Sequence, residues 1–229
     1  MKAFVEGTGF WSPGFPSPDA WLARNKDLAA MAPPCTLCDS RLLRGTSLLT
    51  RMSVEVATQA IQAAGWQASD VAAVFGSAHG EMSIALRQLD MMAQGDGTVS
   101  PMQFKNSVHN TGAGVFSIAA GNRGFSTAIA AGEETFSACL IEAFGLLSSG
   151  HSRVVVVVAD ESLPPPISTL VSFDSCAVAF ALSATAMPTG LGDIDLPLRS
   201  IALQPSLLAG NPAAAALPLL ESLMRPTLP

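Results

Sequence analysis

The chain has 229 residues, of which 49% are hydrophobic and 13% are charged, and its mean hydropathy is +0.39. The net charge of -6 argues against a nucleic-acid-binding protein, because phosphate contacts require clustered Lys and Arg. Gly, Ser and Pro interrupt the most apolar windows, and none offers the roughly 20 consecutive apolar residues of a membrane-spanning helix. We therefore predict no membrane span, and a subunit that buries much of its apolar surface against a partner chain.

The N-terminal residues and the four cysteines bear on location and cofactors. The first residues lack an apolar signal segment, so we expect a cytoplasmic protein. Cys35 and Cys38 have zinc-ribbon spacing, but a second pair is missing because Cys139 and Cys176 lie in apolar segments. We expect reduced structural thiols, and neither a metal nor another cofactor.

Predicted strands and helices alternate in the first part of the chain. In order, they are a strand over residues 2–10, a helical piece over 19–30 in a proline-rich loop, a helix ending at 64, a strand over 71–75 and a helix over 81–93 followed by a turn at 95–97. Thr46 or Ser47 is expected to cap the helix that ends at residue 64, and Gly65 to stop it. A Ser-Pro loop over 100–107 then opens a helix of small residues over 108–120.

The central stretch combines a strand, a tight corner and an apolar helix. A strand over residues 126–130 enters a corner at Ala131 and Gly132, and the helix that leaves it, apolar almost all round, ends at Gly150. We expect this helix to be buried on every side. Enzymes use such a corner to hold a nucleophile at a helix N-terminus. Here the corner carries Glu133 and Glu134 and no nucleophile.

The remainder of the chain changes in composition. A valine strand over residues 154–158 and a strand over 176–183 continue the alternation, which indicates an α/β layered fold. We divide the chain into a domain over 1–186 and a Pro- and Gly-rich arm or degenerate remnant over 187–229. Within the latter, Asn211 and Pro212 predict a helix start, and Pro218 is expected to kink or end that helix.

Several motifs in sequence order carry a family resemblance. They are a Gly-Ser-x-x-Gly loop at residues 76–80, a Ser-Pro loop before an Asn-x-x-Ala-Gly helix start at 110–114, an Arg-Gly pair at 123–124 and an acidic-Glu-Ser step at 160–162. Over roughly residues 1–185 the chain resembles the N-terminal half of a β-ketoacyl synthase, a member of the thiolase-like superfamily. The resemblance implies a thiolase-like layered fold, a single α-β-α half truncated relative to a full ketosynthase.

Departures from this family indicate a different role. Counting nine residues from Gly124, the position of the family's catalytic cysteine falls on Glu133. The two histidine motifs of the family's C-terminal half are absent, and His109 lies upstream of the corner. Condensation requires a thiolate and a polarised oxyanion, so the resemblance implies a non-catalytic chain.

Cysteine-less, shortened members of the family resemble chain length factors. These subunits form heterodimers with an active ketosynthase and shape its tunnel for a polyketide or fatty-acyl chain. The short form is most similar to the partner subunits of aryl-polyene and xanthomonadin-type pathways. The resemblance therefore implies a full-length ketosynthase as partner and an acyl carrier protein reached through that partner. It also places the dimer surface along the strand before the corner and the helix after the Ser-Pro loop.

The resemblance also assigns candidate site residues. It places Gln103 and Phe104 in the loop that crosses the interface toward the partner's tunnel, and His79 at the distal end of the acyl pocket. Ordinary loop packing is the alternative for these three residues. His109 and Asn110 are further tunnel or interface candidates, and we interpret His109 as an interface or core histidine and not as a catalytic base.

Glu133 has two interpretations. The carboxylate either mimics an acyl-thioester or assists decarboxylation, or it is the first residue of the helix and is stabilised by the dipole by about 0.3–1 kcal/mol. Two other functions stay open. One is a stand-alone decarboxylase or hydrolase that uses Glu133 and Glu134, and the other is a purely structural stabiliser of a partner.

Overall fold

A computed structural model describes residues 2–95, 99–196 and 208–224 and contains one mixed sheet of six strands. Along the sheet the strands lie in the order β3-β2-β4-β5-β1-β6. β2 is parallel to β3 and β4, whereas β5 is antiparallel to β4 and β1, and β6 is antiparallel to β1. The strands are β1 (Lys2–Trp11), β2 (Ala72–Gly76), β3 (Ser126–Ile129), β4 (Arg153–Asp160), β5 (Cys176–Ser183) and β6 (Gly192–Asp195).

Helices connect these strands and cover both faces of the sheet. They are α1 (Pro18–Leu22), α2 (Leu48–Ala63), α3 (Met82–Gln94), α4 (Pro101–Lys105), α5 (Thr111–Ala120), α6 (Thr135–Ser148) and α7 (Leu217–Met224). Short 3-10 turns lie at Ala68–Asp70, Gly132–Glu134, Ile167–Thr169 and Pro212–Ala216. Ser47 caps α2, because its Oγ accepts a hydrogen bond from the backbone N–H of Thr50.

The valine strand shows why the fold has three layers. Val154, Val156 and Val158 of β4 pack in one core with α6 and α7, whereas Val155 and Val157 pack in the other with α2 and α5. Successive side chains of a strand point to opposite faces, so an uninterrupted apolar run indicates a strand covered on both sides. The predicted α-β-α layering is confirmed.

Close approach between α2 and β1 depends on glycine. A Cβ at Gly9 would collide with the backbone carbonyl of Val56, and one at Gly7 would collide with that of Ala60. The missing side chains therefore let the helix backbone lie directly on the strand.

Three helix predictions were wrong in detail. The helix predicted over residues 19–30 covers Pro18–Leu22 and stops there, since Arg24 adopts a left-handed φ of 52°. The helix predicted over 108–120 begins at Thr111, and a separate helix covers Pro101–Lys105. Helix α6 is not buried on every side, because Ile141 is 63% exposed.

The segment after residue 187 contributes to the same core as the rest of the chain. β6 extends the sheet beside β1, and Leu217, Leu219 and Leu220 of α7 are buried. Pro218 does not end a helix, because it occupies the first turn of α7, where the missing N–H costs nothing. The division of the chain at residue 187 stays a prediction. The predicted turn at 95–97 lies largely outside the described residues.

Among the helices in the described ranges, none has the length and apolar character needed to cross a membrane.

Candidate functional site

The predicted corner lies at the carboxyl end of β3, the first strand at one edge of the sheet. Gly132 adopts a left-handed φ of 58°, which turns the chain into the 3-10 segment. The Thr135 hydroxyl accepts a hydrogen bond from the N–H of Ala131 (3.1 Å) and donates one to the carbonyl of Gly132 (2.7 Å). One threonine side chain therefore holds the strand-to-helix geometry that the sequence predicts.

Glu133 and Glu134 are exposed at this corner. Neither side chain makes a hydrogen bond or ion pair within the part of the chain that the structure describes. Glu133 is not the first residue of the helix, because α6 begins two residues later at Thr135. The corner therefore presents two solvated carboxylates.

The thiol nearest to this corner in sequence faces the core. Cys139 is fully buried, and its Sγ lies 2.5 Å from where a Cβ on Gly76 would stand, at the end of β2. Burial, with a smaller contribution from the charge of Glu142, raises the pKa of Cys139 to about 12. A thiol with this pKa is protonated at neutral pH and is a poor nucleophile.

Polar groups converge instead on the loop after β2, next to the corner. Asp160, at the end of β4, is 1% exposed and accepts hydrogen bonds from the hydroxyl of Ser77 and from the N–H groups of Ala78 and His79. These bonds are 2.8, 3.1 and 2.9 Å long. Ser77 Oγ also accepts from the N–H of Gly80 (2.9 Å). The carboxylate of Asp160 thus fixes the loop over residues 77–80.

Two of the candidate histidines meet at this loop. His79 Nδ1 lies 3.2 Å from Asp160 Oδ1, and the His79 ring packs on Phe173 with 5.5 Å between ring centroids. His109 Nε2 lies 2.9 Å from the carbonyl oxygen of Ser77. The structure therefore brings both His79 and His109 to the turn over residues 77–80.

The other candidates lie on α4 and at the start of α5. Phe104 is 62% exposed, whereas Gln103 is half-buried and its Oε1 has no hydrogen-bond partner among the described residues. Asn110 is exposed and precedes α5 without a side-chain capping bond. These placements leave the predicted tunnel and interface roles of the candidates as predictions.

Two buried glutamates near the loop were not predicted as site residues. Glu81 and Glu161 are 4% and 6% exposed. Glu81 lines a small pocket of about 270 Å³, counting its open mouth, together with Ser77, His109 and the start of α5. Burial, with a smaller contribution from the charge of Glu161, raises the pKa of Glu81 to about 7, although hydrogen bonds from Ser47 and Thr50 act in the opposite direction. The only local signal for these residues is that each glutamate directly follows a polar loop or a strand end.

The described part of the chain contains no group of three or more His, Cys, Asp or Glu side chains placed to hold a metal ion. What the site offers is a rigid polar loop, a pocket below the usual size of a ligand site, and a corner without a thiol.

Comparison with known proteins identifies the family to which the chain belongs. The family model described as β-ketoacyl synthase, N-terminal domain, matches residues 19–218. No curated protein sequence matches the chain significantly.

Solved structures share the fold. The chain is similar to a structure of a ketosynthase (ApeO) in complex with its chain length factor (ApeC) from Xenorhabdus doucetiae, with a TM-score of 0.67 and 25% identity over 81% of this chain and 80% of that chain. The ishigamide ketosynthase/chain length factor matches with a TM-score of 0.65 and 15% identity, over 80% of this chain and 62% of that one. AntDE:AntF, a type II acyl-carrier protein in complex with its ketosynthase, matches with a TM-score of 0.66 and 13% identity, over 80% and 63%.

The layered fold is thus the thiolase-like half that the sequence motifs indicate. The family model covers most of the chain, and it describes the N-terminal domain of β-ketoacyl synthases. The protein therefore belongs to the β-ketoacyl synthase family.

Proposed function

We propose that this chain is a non-catalytic, chain length factor-like subunit that forms a heterodimer with an active β-ketoacyl synthase and shapes its acyl tunnel. The observation that carries the proposal is the corner after β3. Exposed Glu133 stands where the family resemblance places the catalytic cysteine, and buried Cys139 faces the core. Without a thiolate the chain cannot form the acyl-enzyme intermediate that condensation requires.

An apolar surface beside an open sheet edge supports the proposal that the chain binds a partner subunit. In the described structure β3 pairs only with β2, so its other side has free backbone groups. Helices α5 and α6 both contact β3, and each carries an exposed isoleucine, Ile118 (67%) and Ile141 (63%). Phe125, directly before β3, is 41% exposed. Grouped apolar exposure of this kind marks protein interfaces.

A second exposed apolar group lies on α4 and supports the tunnel role. Met102 is 47% exposed and Phe104 is 62% exposed on the same short helix. An aromatic side chain presented at this position would form part of the wall of a tunnel in the partner. The pathway we propose is polyene or fatty-acid-like, and the acyl carrier protein would bind through the ketosynthase.

Copurification tests the interface. We expect the chain, co-expressed with a β-ketoacyl synthase of the same pathway, to copurify in a 1:1 complex. The double variant Ile118→Lys/Ile141→Lys should lose the complex by at least tenfold in apparent affinity, because two charges would be buried at the interface. Leu170→Lys is the matched control, since Leu170 is 81% exposed and lies away from β3 in sequence. Equal loss in both variants would remove this surface from the proposal.

Product length tests the tunnel. We expect Phe104→Ala to lengthen and Phe104→Trp to shorten the acyl products of the complex, with its yield unchanged. If the product distribution stays constant while the complex forms, the chain is a structural stabiliser and not a tunnel subunit.

A further inference from the structure

Two buried carboxyl groups lie over the first turn of α2. Glu81 directly precedes α3, and Glu161 directly follows β4. Glu81 Oε1 accepts a hydrogen bond from the hydroxyl of Thr50 (2.6 Å), and Glu161 Oε2 accepts one from the N–H of Leu49 (3.1 Å). Because Leu49 and Thr50 are consecutive, both carboxyl groups face the same turn of the helix.

Each carboxyl group keeps one oxygen without a partner. Glu81 Oε2 and Glu161 Oε1 are buried, and neither has a hydrogen-bond partner among the described residues. Burying an unpaired carboxylate is costly, and two like charges in one buried site raise the cost further. A proton taken up by one of the two groups would remove one of the two charges.

The surroundings indicate which group takes the proton. Glu161 accepts from a backbone N–H at the N-terminus of α2, where the helix dipole favours a negative charge. Glu81 bonds through a hydroxyl and lines the pocket beside Ser77 and Phe75. Glu81 therefore has the less favourable surroundings for a negative charge, and it is the group that we expect to take up the proton.

We propose that Glu81 takes up a proton in the folded chain and, with Glu161, acts as a pH-sensitive latch, which holds the loop after β2 and the end of β4 on the first turn of α2. The latch is independent of the proposed function. In the protonated state the three segments are joined by hydrogen bonds. When the proton leaves, two buried carboxylates repel each other and the first turn of α2 is loosened from the sheet.

Other titratable groups lie near Glu81 and Glu161 and contribute to the electrostatic potential there. His109 lines the same pocket, and Asp160 binds the loop through Ser77 on the neighbouring strand end. Glu55, further along α2, accepts from the N–H of Cys35 (2.8 Å).

The sign of the pH dependence follows from the direction of the shift. The pKa of Glu81 rises from 4.5 to about 7 on folding, so the folded chain holds the proton more tightly. The contribution is greatest below the unfolded value of 4.5 and is lost as pH rises through about 7. Between pH 5 and pH 8 the folding equilibrium constant should fall on the order of a hundredfold because of this group.

Carbon-13 NMR of side-chain carboxyl groups in the glutamate-labelled full chain gives a direct test. One glutamate carboxyl signal should titrate above pH 6, and it should be absent in Glu81→Gln. In Glu161→Gln it should move to lower pH, because the neighbouring charge is gone. Glu133→Gln is the control, since this exposed carboxylate should not affect the signal.

Urea unfolding of the same proteins at pH 5 and pH 8 provides the second measurement. We expect the ratio of folding constants at the two pH values to be on the order of a hundredfold larger in the wild type than in Glu81→Gln. Equal ratios would overturn the proposal. If Glu81→Gln does not fold, the wild-type titration still decides, because the absence of any glutamate signal titrating above pH 6 would overturn it as well.

Discussion

The loop after β2 and the corner after β3 lie at the same end of two adjacent parallel strands but differ in the burial and hydrogen bonding of their polar side chains. The loop is tied to buried Asp160 by hydrogen bonds from Ser77, Ala78 and His79. The corner presents Glu133 to solvent with no bond from its side chain to the described residues. In this chain the buried polar contacts lie beside the position where the family resemblance places the nucleophile, and not at it. The contrast shows that the strand-to-helix corner is present, whereas the buried polar contacts at this end of the sheet lie in the neighbouring loop.

Thiol reactivity should give the largest effect. Because the pKa of Cys139 is raised to about 12 from 9.0, its thiolate fraction should be on the order of a thousandfold lower than in the unfolded chain. Iodoacetamide labelling at pH 8, followed by mass spectrometry, should modify half-buried Cys38 well before Cys139. Rapid labelling of Cys139 in the native chain would mean that a nucleophile does serve the corner.

Removing the charge of Asp160 should have the second-largest effect. In Asp160→Asn the new amide would direct N–H groups toward the donors of Ser77 and His79, so we expect a loss of about 2–4 kcal/mol in the free energy of unfolding. Urea unfolding measures this, with exposed Asp174→Asn as control. Similar stability of the two variants would contradict the role given to Asp160.

Gly76 separates the two regions and allows a smaller, coupled test. A Cβ there would stand 2.5 Å from Cys139 Sγ, so Gly76→Ala should cost about 1–3 kcal/mol. Adding Cys139→Ala removes the nearest of the atoms that the new methyl group would meet, and leaves Thr135 Cγ2 at 2.9 Å. A double-mutant cycle should therefore show a favourable coupling, and strictly additive losses would show that the contact does not limit this position.

Changes at the corner itself should have the smallest effect. Glu133→Gln removes a solvated charge with no partner among the described residues, so the free energy of unfolding should change by less than about 0.5 kcal/mol. Thermal unfolding checks this against Glu81→Gln. A large loss in Glu133→Gln would show that the corner carries a structural contact.

Sequence predicted the parts of the fold that depend on local patterns. The sequence predicts the valine run of β4, a cap at Thr46 or Ser47 and a corner at Ala131 and Gly132, because burial on both faces, capping and small turn residues leave local signals. The structure shows that the cap is Ser47 and that Gly132 has a left-handed φ. Helix α4 was missed, because the sequence predicts a loop over residues 100–107. There Ser107 donates to the carbonyl of Phe104 and closes α4 before the small-residue run begins.

Long-range contacts explain the rest of what was missed. Asp160 binds residues more than 80 positions away, and Glu161 binds Leu49 over 112 positions, so no local pattern marks either carboxylate as part of a site. β6 was missed for the same reason, since Gly192 and Asp195 form a strand only beside β1. Polar side chains at strand ends were visible in the sequence, but their partners were not.

Reconstituted condensation tests the central claim most directly. The ketosynthase alone, this chain alone and the copurified pair would each be given acyl carrier protein and malonyl units, and acyl products would be measured by mass spectrometry. We predict products of defined length from the pair, none from this chain alone, and no change in rate when Glu133→Ala replaces the wild type in the pair. Product formation by the isolated chain, abolished by Glu133→Ala, would contradict the account and establish the chain as an enzyme in its own right.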